Sequence, residues 1–209
     1  MQMNEQNNCQ KNDHQNDRQN GHQNSQQNSR QNRKESGKPG QKNNIYLIGF
    51  MGVGKSSVSE CVAKTLGLAC IEMDEEIEKR SGMRIKDMFA VYGESYFRDK
   101  ETACLKALAE EETRCVVSCG GGAVLRDENV AFMKETGRII LLTATAETVY
   151  ERVKDSDARP VLNGRMNPQS IQALMDDRCG RYESIADCMV STDGKTVEEI
   201  CKELIERIS

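Results

Sequence analysis

Lys55 and Ser56 close an eight-residue run, Gly49-Phe50-Met51-Gly52-Val53-Gly54-Lys55-Ser56, that fits the phosphate-binding pattern of glycine, four residues, glycine, lysine and serine. The chemistry it suggests is anion capture. Glycines let successive backbone N–H groups turn toward one phosphate, and a helix starting there adds the partial positive charge of its N-terminus. Gly52, Val53, Gly54, Lys55, Ser56 and Ser57 are therefore candidate nucleotide-binding residues, with Lys55 reaching the β/γ-phosphates and Ser56 taking Mg²⁺. The flanks suit this role. Ile45 to Ile48 reads as a buried parallel strand, and Val58, Cys61, Val62, Thr65 and Leu66 recur at helical spacing.

A second strand-like segment, Ala69 to Met73, runs into Glu72-Met73-Asp74. Alternate side chains of an extended segment share a face, so Glu72 and Asp74 are expected to point together toward the phosphate loop. One would help to hold Mg²⁺, directly or through water, and the other would accept a hydrogen bond from an attacking hydroxyl. The plainer alternative makes Asp74 a helix N-cap, with Glu76 and Glu78 favourable to the helix dipole.

Arg98 and Glu101 are three residues apart on a helical pattern, which alone reads as a surface ion pair. Gly120-Gly121-Gly122 follows the strand-like Cys115 to Ser118, and three glycines at a strand end let backbone approach a ligand closely. A tight connection before the next helix is the competing explanation. The polar stretch from Asp155 to Asn167 holds Pro160, Gly164, Arg159 and Arg165, interrupts the helical patterns, and reads as a mobile lid. Arg159, beside Pro160, is the candidate to come down over a transferring phosphoryl group, and Arg152 precedes the segment.

Elements that would position these groups alternate along the chain. Strands are expected at Ile45–Ile48, Ala69–Met73, Cys115–Ser118, Ile139–Thr143 and Met189–Ser191. Helices are expected at Ser56–Leu66, Asp74–Arg80, Arg84–Tyr92, Ser95–Glu111, Glu128–Glu135, Ala146–Lys154 and Pro168–Tyr182, and a last one carries Val197, Ile200, Cys201, Leu204, Ile205 and Ile208 on one face. Strand followed by helix, repeated, gives an α/β fold: a five-stranded parallel sheet flanked by helices, with ligands at the C-terminal strand edge.

Composition divides the chain in two. In residues 1–43 nearly every second residue is Gln or Asn and none is Leu, Ile, Val or Phe, so they are expected to form a disordered tail with no core to bury. The tail lacks the apolar region of a secretory signal. Residues 44–209 have the size of one domain and carry 22 basic against 29 acidic residues, an acidic balance that argues against a nucleic-acid surface. No apolar run approaches membrane-spanning length. Nine cysteines without paired spacing suggest reduced thiols in a cytoplasm. Both histidines, His14 and His22, lie in the tail, so the chemistry of the domain must run on carboxylates, Lys and Arg.

Taken in order, GFMGVGKS, MDEEIEKRSG, YFRDKE, the triple glycine, ARPVL and DRCGRYESIAD closely resemble the shikimate kinases, small members of the nucleoside monophosphate kinase-like branch of P-loop folds. The likeness covers Asn44 to Ser209. It implies a mobile lid, ATP as co-substrate, Mg²⁺ as cofactor, and transfer of the γ-phosphoryl group to the 3-hydroxyl of shikimate. It further implies that Asp74 binds the shikimate hydroxyls, and that Arg98 and Arg178 clamp its carboxylate with help from Gly120, Gly121 and Gly122. Arg159 would be the lid arginine and Arg152 the one beside the adenine. Three positions depart from the family pattern: Glu72 for the usual Asp, Cys119 for the usual Thr, and Cys179-Gly180-Arg181-Tyr182 for a segment with Pro-Leu-Tyr. A monomer binding neither nucleic acid nor membrane is expected. Rival readings are another small-metabolite kinase, acting on gluconate or a nucleoside monophosphate, and a non-catalytic nucleotide-binding module.

Deleting residues 1–42 is expected to leave thermal stability and activity unchanged, because that segment offers no apolar surface to pack. Thermal unfolding of the truncated chain checks this, and a melting temperature lowered by many degrees would show that the tail docks.

Overall fold

The five strands of the computed structural model form one parallel sheet of order β2-β3-β1-β4-β5, with β1 and β3 fully buried and β2 partly exposed at one edge. The structure describes residues 43–110, 113–154 and 167–209. The strands are β1 (Asn44–Ile48), β2 (Ala69–Glu72), β3 (Cys115–Ser118), β4 (Gly137–Thr143) and β5 (Cys188–Ser191). The helices are α1 (Lys55–Leu66), α2 (Met73–Ser81), α3 (Ile85–Glu110), α4 (Asp127–Thr136), α5 (Ala146–Val153), α6 (Pro168–Ile185) and α7 (Val197–Ile208), with a 3-10 turn at Ala123–Leu125.

β1 occupies the middle of the sheet with every residue buried, which is why its sequence is a near-continuous apolar run rather than an alternating one. Successive residues feed opposite faces. Ile45 and Leu47 join Val58 and Val62 of α1 and Ile200 and Leu204 of α7 in one core. Tyr46 and Ile48 join Ile77 of α2, Leu105 of α3 and Met133 of α4 in the other. The chain crosses from β1 past β3 to β2, then returns over β1 to β4, so the order reverses beside β1. In open α/β sheets that reversal opens a crevice at the carboxyl ends of the strands. The phosphate loop leaves β1 there, and the triple glycine leaves β3 there.

The expected alternation holds, with shifts at the ends. β2 stops at Glu72 rather than Met73, and Met73 already opens α2. The two helices expected on either side of Gly93 are both present within α3, separated by a kink at Gly93, at φ 80° and ψ 177°. Residues 1–42 and 155–166, where the tail and most of the lid are expected, lie outside the described residues, and Arg159 with them.

Candidate active site

The phosphate loop is held open by its glycines and by two cations. Gly49 has φ 140°, and a Cβ there would clash with the Leu142 carbonyl oxygen of β4. Gly54, at φ 98°, caps α1, whose first turn closes through Val58 N–H donating to Gly54 O at 3.0 Å. Lys55 Nζ donates to the carbonyls of Gly49 and Phe50, both at 3.0 Å, which keeps the ammonium beside the loop it serves. Ser56 and Ser57 follow on the exposed first turn of α1. Arg152 on α5 reaches back to the loop, where its Nη1 donates to Val53 O at 3.2 Å and to Thr192 Oγ1 at 3.0 Å. Arg152 thus joins the phosphate loop to the end of β5, a link that spans about a hundred residues of sequence.

Three further elements converge on Gly120–Gly122. A Cβ on Gly120 would stand 2.9 Å from Asp74 Oδ1 and 3.2 Å from Glu101 Oε1. One on Gly121 would meet the Tyr182 hydroxyl at 3.5 Å, Arg178 Nη1 at 3.8 Å and the Gly49 carbonyl at 3.8 Å. One on Gly122 would run into the Arg98 guanidinium. The glycines therefore form the contact point of α2, α3, α6 and the phosphate loop, and a side chain at Gly120 or Gly122 would push a charged group aside, while one at Gly121 would stand in ordinary contact with its neighbours. The tight-connection alternative is right only in part, since a turn does form, with Ala123 N–H donating to Gly120 O at 3.0 Å.

The ion pair of Arg98 with Glu101 is not on the surface. Glu101 is fully buried on α3, and Arg98 is 16% exposed. Glu101 lies on the helix face that carries Phe97, Cys104, Leu105 and Leu108, all buried, so the spacing that made it a neighbour of Arg98 also drives it into the core. Arg98 Nη1 donates to Glu101 Oε2 at 2.6 Å, while Nε and Nη2 donate to Glu94 Oε1 at 3.1 and 2.7 Å. A guanidinium has five N–H donors, and these bonds leave one on each of Nη1 and Nη2. Those two N–H groups remain to donate to a carboxylate.

Burial pushes the Glu101 carboxyl up to about 7, and the attraction of Arg98 only partly offsets it. Its buried Oε1 has no hydrogen-bond partner among the described residues, which adds to the desolvation. Asp74 raises it slightly further.

Asp74 itself is not an N-cap. Glu72 holds that place, without a side-chain bond to the helix, and Asp74 sits inside the first turn of α2. The expectation that Glu72 and Asp74 share one strand face fails for the same reason, since the strand ends between them. Asp74 turns to Gly120, whereas Glu72 continues the β2 face whose Cys70 donates to Ser59 of α1 at 3.5 Å. Sequence reasoning missed Glu101 as a buried group, Glu94 and Tyr182. Only Glu101 had a readable signal, its place on the apolar stripe of α3.

A sequence profile described as shikimate kinase matches residues 51–209. The shikimate kinase of Persephonella marina is 44% identical over 165 residues, covering 79% of this chain and 98% of the relative, and that of Thermodesulfovibrio yellowstonii is 43% identical, covering 79% and 96%. Among solved structures, shikimate kinase from Acinetobacter baumannii in complex with shikimate superposes with a TM-score of 0.74 at 30% identity, covering 81% of this chain and 94% of that one. The Aquifex aeolicus shikimate kinase does so with a TM-score of 0.68 at 38% identity, covering 79% and 95%. This chain belongs to the shikimate kinase family. The members just named align over nearly their whole length, so the family frame extends from the phosphate loop through α7.

The buried Glu101 makes stability pH-dependent. Its folded value of about 7 lies above the ordinary 4.5, so the protonated form supports the fold below about pH 4.5, and this support is lost as the pH rises through about 7. Glu101→Gln removes that component. The stability of the native chain minus that of the variant is expected to fall by up to about 3 kcal/mol across this window. Urea unfolding of both proteins from pH 4.5 to 8 measures it, and a difference that stays flat would show that Glu101 titrates as an ordinary carboxylate.

Proposed function

We propose that this chain is an ATP-dependent shikimate kinase that moves the γ-phosphoryl group of ATP to the 3-hydroxyl of shikimate. The observation that carries the reading is the meeting of two arginines and an aspartate at the triple glycine, with Gly121 itself 3.8 Å from the phosphate loop at the position of its absent Cβ. Such a site offers a planar fork for a carboxylate, a hydrogen-bond acceptor for hydroxyls, and a neighbouring phosphate donor. Arg98 and Arg178 would take the carboxylate, Asp74 the hydroxyls next to the acceptor, and Gly120–Gly122 would add backbone contacts. A nucleoside monophosphate has no carboxylate for these arginines, and all the residues that a non-catalytic module could dispense with are present.

Phosphoryl transfer asks the protein for position and charge rather than for covalent chemistry. Lys55 would move from the Gly49 and Phe50 carbonyls onto the phosphates. Arg152 would lie at the adenine end, and Arg159 would close over the transferring group. The residues also fit Mg²⁺. Ser118 of β3 is the register partner of Glu72, and alternation places it, like Val116, on the face that α1 covers. Among the described residues its buried hydroxyl has no hydrogen-bond partner, which suits a hydrated cation held by Ser56 and, through water, by Glu72. When bound, the ion neutralises phosphate charge. Among the described residues no helix is long and apolar enough to cross a membrane. We read the protein as a cytoplasmic monomer.

ADP release from the purified chain is expected to require shikimate, with gluconate, AMP and CMP inactive as acceptors. Lys55→Ala should lower kcat/KM by about 10² to 10³, the scale for losing one charged contact to the transferring group. Turnover with one of the other acceptors and none with shikimate would overturn the substrate assignment.

Arg98→Lys keeps the charge but loses the planar guanidinium donors. Shikimate affinity should fall by about 1.5 to 3 kcal/mol while ATP affinity stays constant. Calorimetric titration decides, and unchanged shikimate affinity would remove Arg98 from the site.

A further inference from the structure

We infer that Tyr182 is a positioning residue, whose hydroxyl sets the geometry of the triple glycine and of Arg178 together. Tyr182 is 4% exposed on α6, and its hydroxyl donates to the Gly121 carbonyl at 2.6 Å. Arg178, one helical turn earlier on the same face of α6, reaches the same point: a Cβ on Gly121 would meet the Tyr182 hydroxyl at 3.5 Å and Arg178 Nη1 at 3.8 Å. One buried hydroxyl thus ties the turn of α6 that carries Arg178 to the backbone of the glycine loop.

The consequence follows from peptide geometry. The carbonyl of Gly121 and the N–H of Gly122 belong to one planar trans peptide and point in opposite directions. Holding the carbonyl toward α6 therefore aims the Gly122 N–H away from α6. Glycine on both sides of that peptide removes the steric restraint that would otherwise keep it from rotating. The Tyr182 bond supplies the restraint that the glycines lack.

The neighbouring residue provides an internal control. Arg181 Nε donates to Val124 O at 2.8 Å and Nη2 to Asp127 Oδ1 at 2.5 Å, so it fastens α6 to the same β3–α4 connection but away from the glycines. A role limited to anchoring α6 would make the two residues equivalent. Positioning makes them different.

The inference rests on the shikimate kinase reading only for its kinetic arm. Tyr182→Phe keeps the ring and removes the hydroxyl. Its KM for shikimate should rise about 5- to 20-fold, the scale of one hydrogen bond in a buried site, with kcat within about 3-fold and KM for ATP unchanged. Arg181→Ala should lower the melting temperature at least as much, yet leave KM for shikimate within about 2-fold. Hydrogen–deuterium exchange of the ligand-free full-length proteins gives a readout independent of substrate. The amides of residues 120–123 should exchange several-fold faster in Tyr182→Phe than in the native chain. Unchanged exchange there overturns the proposal whatever the substrate proves to be. A wild type inactive with shikimate overturns the functional reading alone. Equal shikimate KM in wild type and Tyr182→Phe, with wild type active, overturns the positioning role alone.

Discussion

No side chain can stand at Gly122, because the Arg98 guanidinium occupies the space that a Cβ would need. That close approach organises the site. Asp74 from α2, Arg98 from α3 and Arg178 from α6 come from distant parts of the chain, and each is placed by its distance from the same short stretch of backbone. Three consecutive glycines are entropically expensive to order, since each loses more freedom on folding than any other residue. The sheet offsets this by pinning both sides of the loop: β3 enters it fully buried between β1 and β2, and the 3-10 turn leaves it under Asn129, whose side chain donates to Ala123 O at 2.8 Å.

Electrostatics makes the same site costly and selective. Burying Glu101 desolvates a carboxylate, and without Arg98 it would be an uncompensated charge in the core. The pair holds the guanidinium in one orientation, with Glu94, 62% exposed, on its outer edge. The overall acidity of the domain does not contradict anionic ligands. Exposed charges are screened beyond about 8 to 10 Å, so the net charge of the whole domain does not set the potential at Arg98 and Arg178 beside the glycines.

Much of this was legible before the structure. Apolar runs and helical spacing located all five strands, and the glycine-lysine-serine run announced the phosphate loop, because both signals are local. Long-range contacts were less visible. Nothing near Tyr182 in sequence indicates that its hydroxyl meets Gly121, sixty-one residues earlier. Glu72 and Asp74 were misread for a different reason: the exchange of strand for helix between them changes the side-chain period from two to 3.6, and a one-residue error in that boundary redirects a carboxylate. Glu101 was misjudged because its charge was weighed above its position on an apolar stripe, and position won.

The departures from the family pattern fall where this geometry tolerates them. Cys119 is fully buried, burial drives its thiol pKa far up, and its sulfur lies 4.0 Å from Met133 Sδ, so it packs as a small apolar group rather than reacting. Cys179 and Gly180 are exposed on α6, and a Cβ on Gly180 would meet nothing within 4 Å. Replacing the usual proline and leucine there leaves the spacing of Arg178 and Tyr182 at four residues, one helical turn, which is what brings both to Gly121. Arg181, on another side of the helix, adds a grip on Val124 and Asp127. The inward face of α6 is constrained by the glycine loop it touches, while its outward face is constrained only by the need to remain a helix.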